Sequence, residues 1–298
     1  MSVEENTAAA AGSWTLGDRT VHRMGFGSMR LTVDPDRARA IRVLRRAVEL
    51  GVNHIDTAAF YVSPGGPLGV GTGSPRYATD LIREALAPYP DDLVITTKVG
   101  PSFDAATRHR ELTPAELRRE VQENLRRLGR DHLDVVNLRI VRRPGRDSVA
   151  QRFAALADLR DAGLIRHLGL SNVRVDHLDE VRDIAPVVCV QNAYALDTNR
   201  WADELLRVCG ERGIAFVPFF AIAGQGREAG AGDEHQDDAV RAVADAHGVS
   251  THQIRLAWTL HQGPHVLAIP GTGDPEHLAQ NVAAGALRLT ARELARLG

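Results

Sequence analysis

Eight short apolar runs of β-type residues, separated by longer stretches with helical periodicity, constrain this chain most. The runs are Met24–Gly27, Val52–Asp56, Leu93–Lys98, Leu133–Arg139, Arg166–Gly169, Val187–Gln191, Ile214–Phe219 and Val266–Ile269. Between them helices are predicted near Asp36–Leu50, Pro75–Leu86, Pro114–Leu128, Ser148–Ala162, Val175–Ile184, Ala202–Arg212, His235–His247, Ser250–Gln262 and Pro275–Ala283. Thr113-Pro114-Ala115-Glu116 combines an N-cap, a proline at the first helical position and a capping-box acid. Ser74-Pro75 and Asp274-Pro275 repeat the cap–proline signal, and Thr290–Glu293 marks a last helix. Nearly continuous apolar strands are what a helix-covered parallel sheet requires. The pattern predicts an α/β fold, a (β/α)8 TIM barrel with an N-terminal β-hairpin over Trp14–His22 and a C-terminal helix. Residues 1–13 are expected to be a disordered tail and residues 14–298 one barrel domain. An open doubly wound sheet is the alternative, but no GxGxxG fingerprint follows the first strand.

Composition narrows the partners. With 36 basic and 38 acidic residues, the net charge of −2 provides no field for nucleic acid or anionic lipid. The longest apolar run, Gly213–Gly224, falls short of the ~20 residues of a membrane helix. Met1–Gly12 is acidic and alanine-rich, unlike a signal peptide, and a cytoplasmic location is expected. Cys189 and Cys209 form no CxxC and read as reduced, packed thiols. The 12 histidines include no HxH, so no metal is expected.

Polar residues stand where barrel strands should be apolar. The second strand ends His54-Ile55-Asp56, the third Thr96-Thr97-Lys98, and the fourth carries Asn137 and Arg139. Period-2 alternation puts His54 with Asp56, Thr96 with Lys98, and Asn137 with Arg139 on common faces. Buried charges are costly unless paired, so Asp56, Lys98 and Arg139 at one barrel mouth read as a site or an unusual salt bridge. Tyr61 follows Asp56 by five residues. A neighbouring cation is expected to lower its pKa, making Asp56, Tyr61 and Lys98 a set suited to donating a proton to a developing alkoxide.

The stretches GFGSMRL (Gly25–Leu31), GVNHIDTAAFY (Gly51–Tyr61), TTKVG (Thr96–Gly100), LDVVNLR (Leu133–Arg139), GLIRHLGLSN (Gly163–Asn172), VCVQNAY (Val188–Tyr194), GIAFVPFF (Gly213–Phe220) and IPGTGDPEHLAQN (Ile269–Asn281) resemble the aldo-keto reductase superfamily in order and spacing. The resemblance implies NAD(P)H-dependent reduction of a small-molecule aldehyde or ketone, with Tyr61 as general acid and Asp56 and Lys98 as its tuning partners. Family members usually carry histidine where this chain has Arg139. Arginine does not act in a proton relay, but it can donate to a carbonyl and stabilise negative charge. This variant, with VPFF, is similar to the pyridoxal-reductase-like group.

The resemblance also implies a carboxamide-binding set of Ser171, Asn172 and Gln191, and a stacking role for Phe219. Gly271-Thr272-Gly273 leads into the helix at Pro275, where backbone N–H groups can receive phosphate. Relatives place Lys and Arg around this helix for the 2′-phosphate of NADPH; here those positions are Gly271 and His277. NADPH is the implied cofactor, and that loss admits NADH. Asn281, with Gln280 beside it, fits the adenine-contact position. The glycine-rich stretch Val62–Ser74 is expected to be either a surface insertion or a lid beside Tyr61. The alternative function is a catalytically silent cofactor-binding sensor or scaffold on the same fold.

Overall fold

The computed structural model describes residues 7–102, 110–141, 148–196, 202–222 and 238–298. Seven parallel strands pair in chain order: β1 (Phe26–Gly27), β2 (His54–Asp56), β3 (Val94–Val99), β4 (Leu133–Arg139), β5 (Ile165–Ser171), β6 (Val187–Gln191) and β7 (Ala215–Phe216). Six helices follow the first six strands, namely α1 (Arg37–Glu49), α2 (Ala78–Leu86), α3 (Pro114–Leu128), α4 (Ala150–Asp161), α5 (Val175–Val181) and α6 (Asp203–Glu211). Then come α7 (Asp238–His247), α8 (Thr251–His261), α9 (Pro275–Ala283) and α10 (Ala291–Leu297). The residues 235–237 assigned to the start of α7 by sequence lie outside those described. The last apolar run forms isolated parallel bridges, Val266 to Phe216 and Ala268 to Met24, so it touches both edges of the curled sheet.

Strand alternation separates the two sides of the sheet. Leu16 and Val21, from the antiparallel hairpin of Ser13–Leu16 and Arg19–His22, pack with Val94, Val135, Cys189, Ala215, Val217 and Leu267. Moving two and four residues along the same faces, Val94 is followed by Thr96 and Lys98, and Val135 by Asn137 and Arg139. One strand face is therefore apolar at its N-terminal end and polar at its C-terminal end. The opposite face packs on the helices. In α3, Leu117, Val121, Asn124 and Leu128 are the buried stripe, and Asn124 Oδ1 accepts from Thr97 Oγ1 at 3.0 Å. That bond fixes β3 next to Lys98. On the far side, Trp258 of α8 stacks on Tyr194 at 5.7 Å, and Tyr194 meets the Phe216 ring edge-on at 5.8 Å.

Cap chemistry explains most boundaries and one shift. The capping boxes at Thr113 and Thr290 form, and α3 ends on Gly129 in the left-handed conformation at φ 66°. Ser74-Pro75 does not start a helix. Instead Arg76–Tyr77 pairs antiparallel with Val62–Ser63, and the Arg76 guanidinium donates to the carbonyls of Thr32, Val33 and Thr72. The helix begins at Ala78, after these bonds have consumed the segment. Ala8–Ala11 forms a 3-10 turn with Ala8 and Ala11 buried, and Ala8 N–H donates to the Leu50 carbonyl at 2.9 Å. Residues 1–6 lie outside the described ones.

Candidate active site

The register of the sheet assembles the polar cluster. Asp56 pairs with Thr96, Asn137 with Lys98, and Arg139 with Ser171. Beyond β2 the chain stays against β3, with Thr57 N–H donating to the Thr96 carbonyl and Ala59 N–H to that of Lys98. This path carries Tyr61 to the lysine. Lys98 Nζ donates to Asp56 Oδ1 at 2.8 Å and Oδ2 at 2.7 Å, to the Thr57 carbonyl at 2.9 Å, and to Tyr61 Oη at 3.0 Å. Asp56 and Lys98 are each 2% exposed, so the pair is held out of water. Such a pair persists because each charge is compensated and hydrogen-bonded. Gln191 Nε2 donates to Asp56 Oδ1 at 2.7 Å and closes the other side of the carboxylate.

The four residues assigned to catalysis by sequence come together with the expected neighbours but not with the expected electrostatics. Burial pushes the Tyr61 phenol up from 10.0, Lys98 pulls it down, Asp56 pushes it up and Arg139 pulls it down; the net direction is upward. The expectation of a lowered pKa is thus corrected, because burial outweighs the two cations. Burial pushes Lys98 down, yet Asp56 and Tyr61 together hold it above its ordinary 10.5. The site therefore holds a protonated phenol beside a charged ammonium at neutral pH. Because the ammonium occupies a lone pair on Tyr61 Oη, the phenolic proton is left to point elsewhere.

Arg139 Nη1 donates to Ser171 Oγ at 3.0 Å, and its guanidinium carbon sits 4.6 Å from the centre of the Phe219 ring. The Phe220 ring also packs perpendicular to Phe219, with centroids 4.8 Å apart. His54, on the same face of β2 as Asp56, is buried and shares a 3.1 Å hydrogen bond with Thr96 Oγ1. Burial pushes it down from 6.5 to about 4, Asp56 acts upward and Lys98 downward. Since the unfolded histidine binds a proton more tightly than the folded one, stability is retained above pH 6.5 and lost as pH falls towards about 4. Over that window the loss should reach about 3 kcal/mol. Urea midpoints measured across it should fall in the wild type and fall much less in His54→Gln.

A cleft of about 830 Å³ opens beside this cluster, with Asp56, Tyr61 and Phe219 at one end and Gly271, Thr272, Gly273, His277, Gln280 and Asn281 at the other. Ser171, Asn172 and Gln191 do not line it, and lie at the ends of β5 and β6. Gln191 Oε1 is buried and has no hydrogen-bond partner among the described residues. With its Nε2 committed to a carboxylate, this acceptor suits the N–H of a carboxamide, and the Ser171 hydroxyl keeps a proton to donate to the carboxamide oxygen. Asn172 adopts φ 62°, donates Nδ2 to the Ile140 carbonyl at 3.1 Å, and receives its place from its N–H bond to the Gln191 carbonyl.

The far end of the cleft differs from the expectation. The Asp274 carboxylate accepts the N–H groups of Glu276 and His277, so two first-turn donors of α9 that could have received phosphate are already used. A side chain at Gly271 has no room, because its Cβ would lie 2.5 Å from the Gly27 carbonyl oxygen. Cationic groups missed by sequence reasoning line this end, namely Arg30 and Arg39. Arg39 pairs with Asp274 at 2.9 Å and Asp34 at 3.5 Å. Among the described residues no cluster of metal-ligating side chains occurs, and no helix is long and apolar enough to cross a membrane. Cys189 and Cys209 are buried free thiols pushed up to about 12 by burial, and Cys189 Sγ donates to Asn137 Oδ1 at 3.1 Å.

Residues 23–298 match the Aldo/keto reductase family. The chain belongs to that family. It is an NAD(P)H-dependent oxidoreductase. Among its relatives, pyridoxine 4-dehydrogenase of Escherichia coli is 40% identical, with 97% of this chain and 98% of the relative covered. An uncharacterised oxidoreductase of Schizosaccharomyces pombe is 38% identical, covering 97% and 90%. The solved aldo/keto reductase from Klebsiella pneumoniae, in complex with NADP and acetate, is 26% identical with a TM-score of 0.77, covering 96% and 93%.

Proposed function

We propose that this aldo/keto reductase uses NADPH to reduce an aldehyde or ketone to the alcohol, with Tyr61 as general acid. The observation that carries this is the single ammonium of Lys98, which bridges both oxygens of Asp56 and the Tyr61 hydroxyl within 3.0 Å. Asp56 holds the ammonium, the ammonium holds the phenol oxygen, and the phenolic proton faces the substrate. When bound, NADPH supplies a hydride to the carbonyl carbon. The carbonyl oxygen takes the Tyr61 proton to give the alcohol, and Tyr61 recovers a proton from water. Arg139 donates to the carbonyl oxygen and stabilises charge there, in place of the usual histidine.

Ser171 and Gln191 would hold the carboxamide, with Asn172 shaping their loop, and Phe219 would supply a ring for the nicotinamide to stack on. Thr272 and Gly273 approach the phosphates. His277, Gln280 and Asn281 would contact the adenosine end, in a cleft that Arg30 and Arg39 also line. The run at Val266–Ala268 takes the position of an eighth barrel strand, supported by its bridges to both sheet edges. The relative named as a pyridoxine 4-dehydrogenase and the neighbour holding NADP support a pyridoxal-type carbonyl and NADPH, with NADH as the weaker cofactor.

Purified protein mixed with NADPH or NADH and a panel of pyridoxal and aromatic aldehydes tests this. Substrate-dependent loss of reduced nicotinamide is expected, faster with NADPH. Tight cofactor binding without any turnover across the panel would instead indicate a sensor or scaffold.

A further inference from the structure

Helix α3 grips β3 on both sides of Lys98. On one side Thr97 Oγ1 donates to Asn124 Oδ1 at 3.0 Å, and on the other Gly100 N–H donates to Glu120 Oε2 at 3.0 Å. Glu120 and Asn124 stand four residues apart on one face of α3, and the Glu120 carbonyl accepts from Asn124 Nδ2 at 2.9 Å. The stretch of β3 between the two grips carries the ammonium that holds Tyr61 Oη. Gly100 leaves this end of the strand little freedom. It adopts φ 131°, a Cβ there would lie 2.4 Å from the Arg139 carbonyl oxygen, and its own carbonyl accepts from Leu112 N–H at 2.8 Å. The Lys98 carbonyl accepts from Ala59 N–H at 3.0 Å. A shift at Gly100 is therefore passed to Lys98 and to the segment that carries Tyr61.

Glu120 is half-buried, and among the described residues no cation pairs with it. The charged groups of the elements around α3 are engaged elsewhere. Arg110 bonds Glu116 and Arg152 pairs with Glu111, Arg127 of α3 pairs with Asp80 of α2, Arg118 pairs with Asp158 of α4, and Lys98 of β3 pairs with Asp56. Glu116, one turn before Glu120, adds a like charge. Its bonds to Arg110 and Thr113 hold it well below the usual carboxylate range, so that charge is constant around neutral pH. Burial pushes Glu120 up, the Gly100 N–H pulls it down and Glu116 pushes it up, to about 7. The Tyr61 cluster has no group changing charge there: Tyr61 and Lys98 lie above 10.0 and 10.5, and His54 lies at about 4.

We propose that Glu120 is a positioning residue for carbonyl reduction, its ionised carboxylate holding the end of β3, through the Gly100 N–H, where Lys98 aligns the Tyr61 hydroxyl. This rests on the carbonyl-reductase function above and adds a residue that sets its rate from outside the cleft. A hydrogen bond to a carboxylate is roughly twice as strong as one to a neutral oxygen, so protonation of Glu120 loosens the grip.

The test follows single-turnover oxidation of NADPH by benzaldehyde between about pH 5.5 and about pH 8.5, in the wild type, Glu120→Gln and Glu120→Met. Glutamine keeps an acceptor for the Gly100 N–H without the charge, and so stands for the protonated acid at every pH; methionine keeps neither. The wild-type rate should fall about 10-fold as pH drops through about 7, within the range that a small misplacement of reacting groups costs. The ratio of wild-type to Glu120→Gln rates should then be about 10 at the alkaline end and near one at the acid end. Glu120→Met should be slower than Glu120→Gln throughout. NADPH affinity, read by fluorescence titration, should stay within about two-fold in both variants, because Glu120 does not line the cleft. A further readout needs no turnover: in protein labelled with 15N-glycine, one amide resonance should move with a midpoint near 7 in the wild type and stay fixed in Glu120→Gln. A wild-type to Glu120→Gln ratio that is constant with pH would overturn the proposal while leaving the reductase function intact. So would an unchanged rate in Glu120→Met, a parallel loss of rate and cofactor affinity, or the absence of a titrating glycine amide. Failure of the wild type to reduce any aldehyde at any pH would instead overturn the function on which it rests.

Discussion

Tyr61→Phe should lower turnover by ~10²–10⁴-fold, the range lost with a positioned general acid, while cofactor affinity stays within about two-fold. The reason is local. The substitution removes one oxygen, whose described partner is Lys98 Nζ at 3.0 Å, and leaves the ring that lies edge-on to Phe60. Its two cationic neighbours do not replace it: Lys98 is tied to Asp56, and Arg139 does not release a proton at ordinary pH. Steady-state rates, with cofactor affinity from fluorescence titration, separate the two effects. A Tyr61→Phe protein that keeps its rate removes the phenol from the mechanism.

Lys98→Met should affect both activity and stability, and the two can be separated. Without the ammonium, the Asp56 carboxylate remains buried with Gln191 as its described side-chain partner. Breaking one side of a buried pair costs about 3–5 kcal/mol, because the remaining charge is uncompensated. The urea midpoint should fall accordingly, and turnover should fall with the loss of the group that holds the phenol oxygen. Replacing both partners, as in Asp56→Leu/Lys98→Met, should recover much of the stability, since two apolar groups need no compensation. It should recover none of the turnover. Equal stability of single and double variants would mean the pair is not held as tightly as its 2.7 Å and 2.8 Å contacts imply.

The sequence made the cluster legible because a charge on the inward face of a greasy strand has few explanations. Asp56, Lys98 and Arg139 stand out by alternation alone, and the strand register then brings them to one end. Tyr61 was legible by proximity to Asp56, but its pKa direction was not. Burial depends on how the walls close, and that is a tertiary property. Ser74-Pro75 misled because the competing strand pair was invisible locally: the carbonyls that hold Arg76 come from Thr32, Val33 and Thr72, two of them far back in the chain. Arg39 carried no signal at all. Its partner Asp274 lies 235 residues away, and only the packing of α1 beside α9 joins them. Likewise Asp274 was recognised as a cap, but not as a carboxylate standing where phosphate was expected. At Gly271 the backbone approach to Gly27 has no local trace either.

Hydride transfer is the most direct test of the whole account. NADPH carrying deuterium at the transferable position should be pre-bound to the protein, mixed with an aromatic aldehyde for a single turnover, and the product analysed by mass spectrometry. The account predicts one deuterium on the former carbonyl carbon with wild-type protein, and little or none over the same time with Tyr61→Phe. Saturating cofactor binding with no deuterium in any product from the wild type would contradict it.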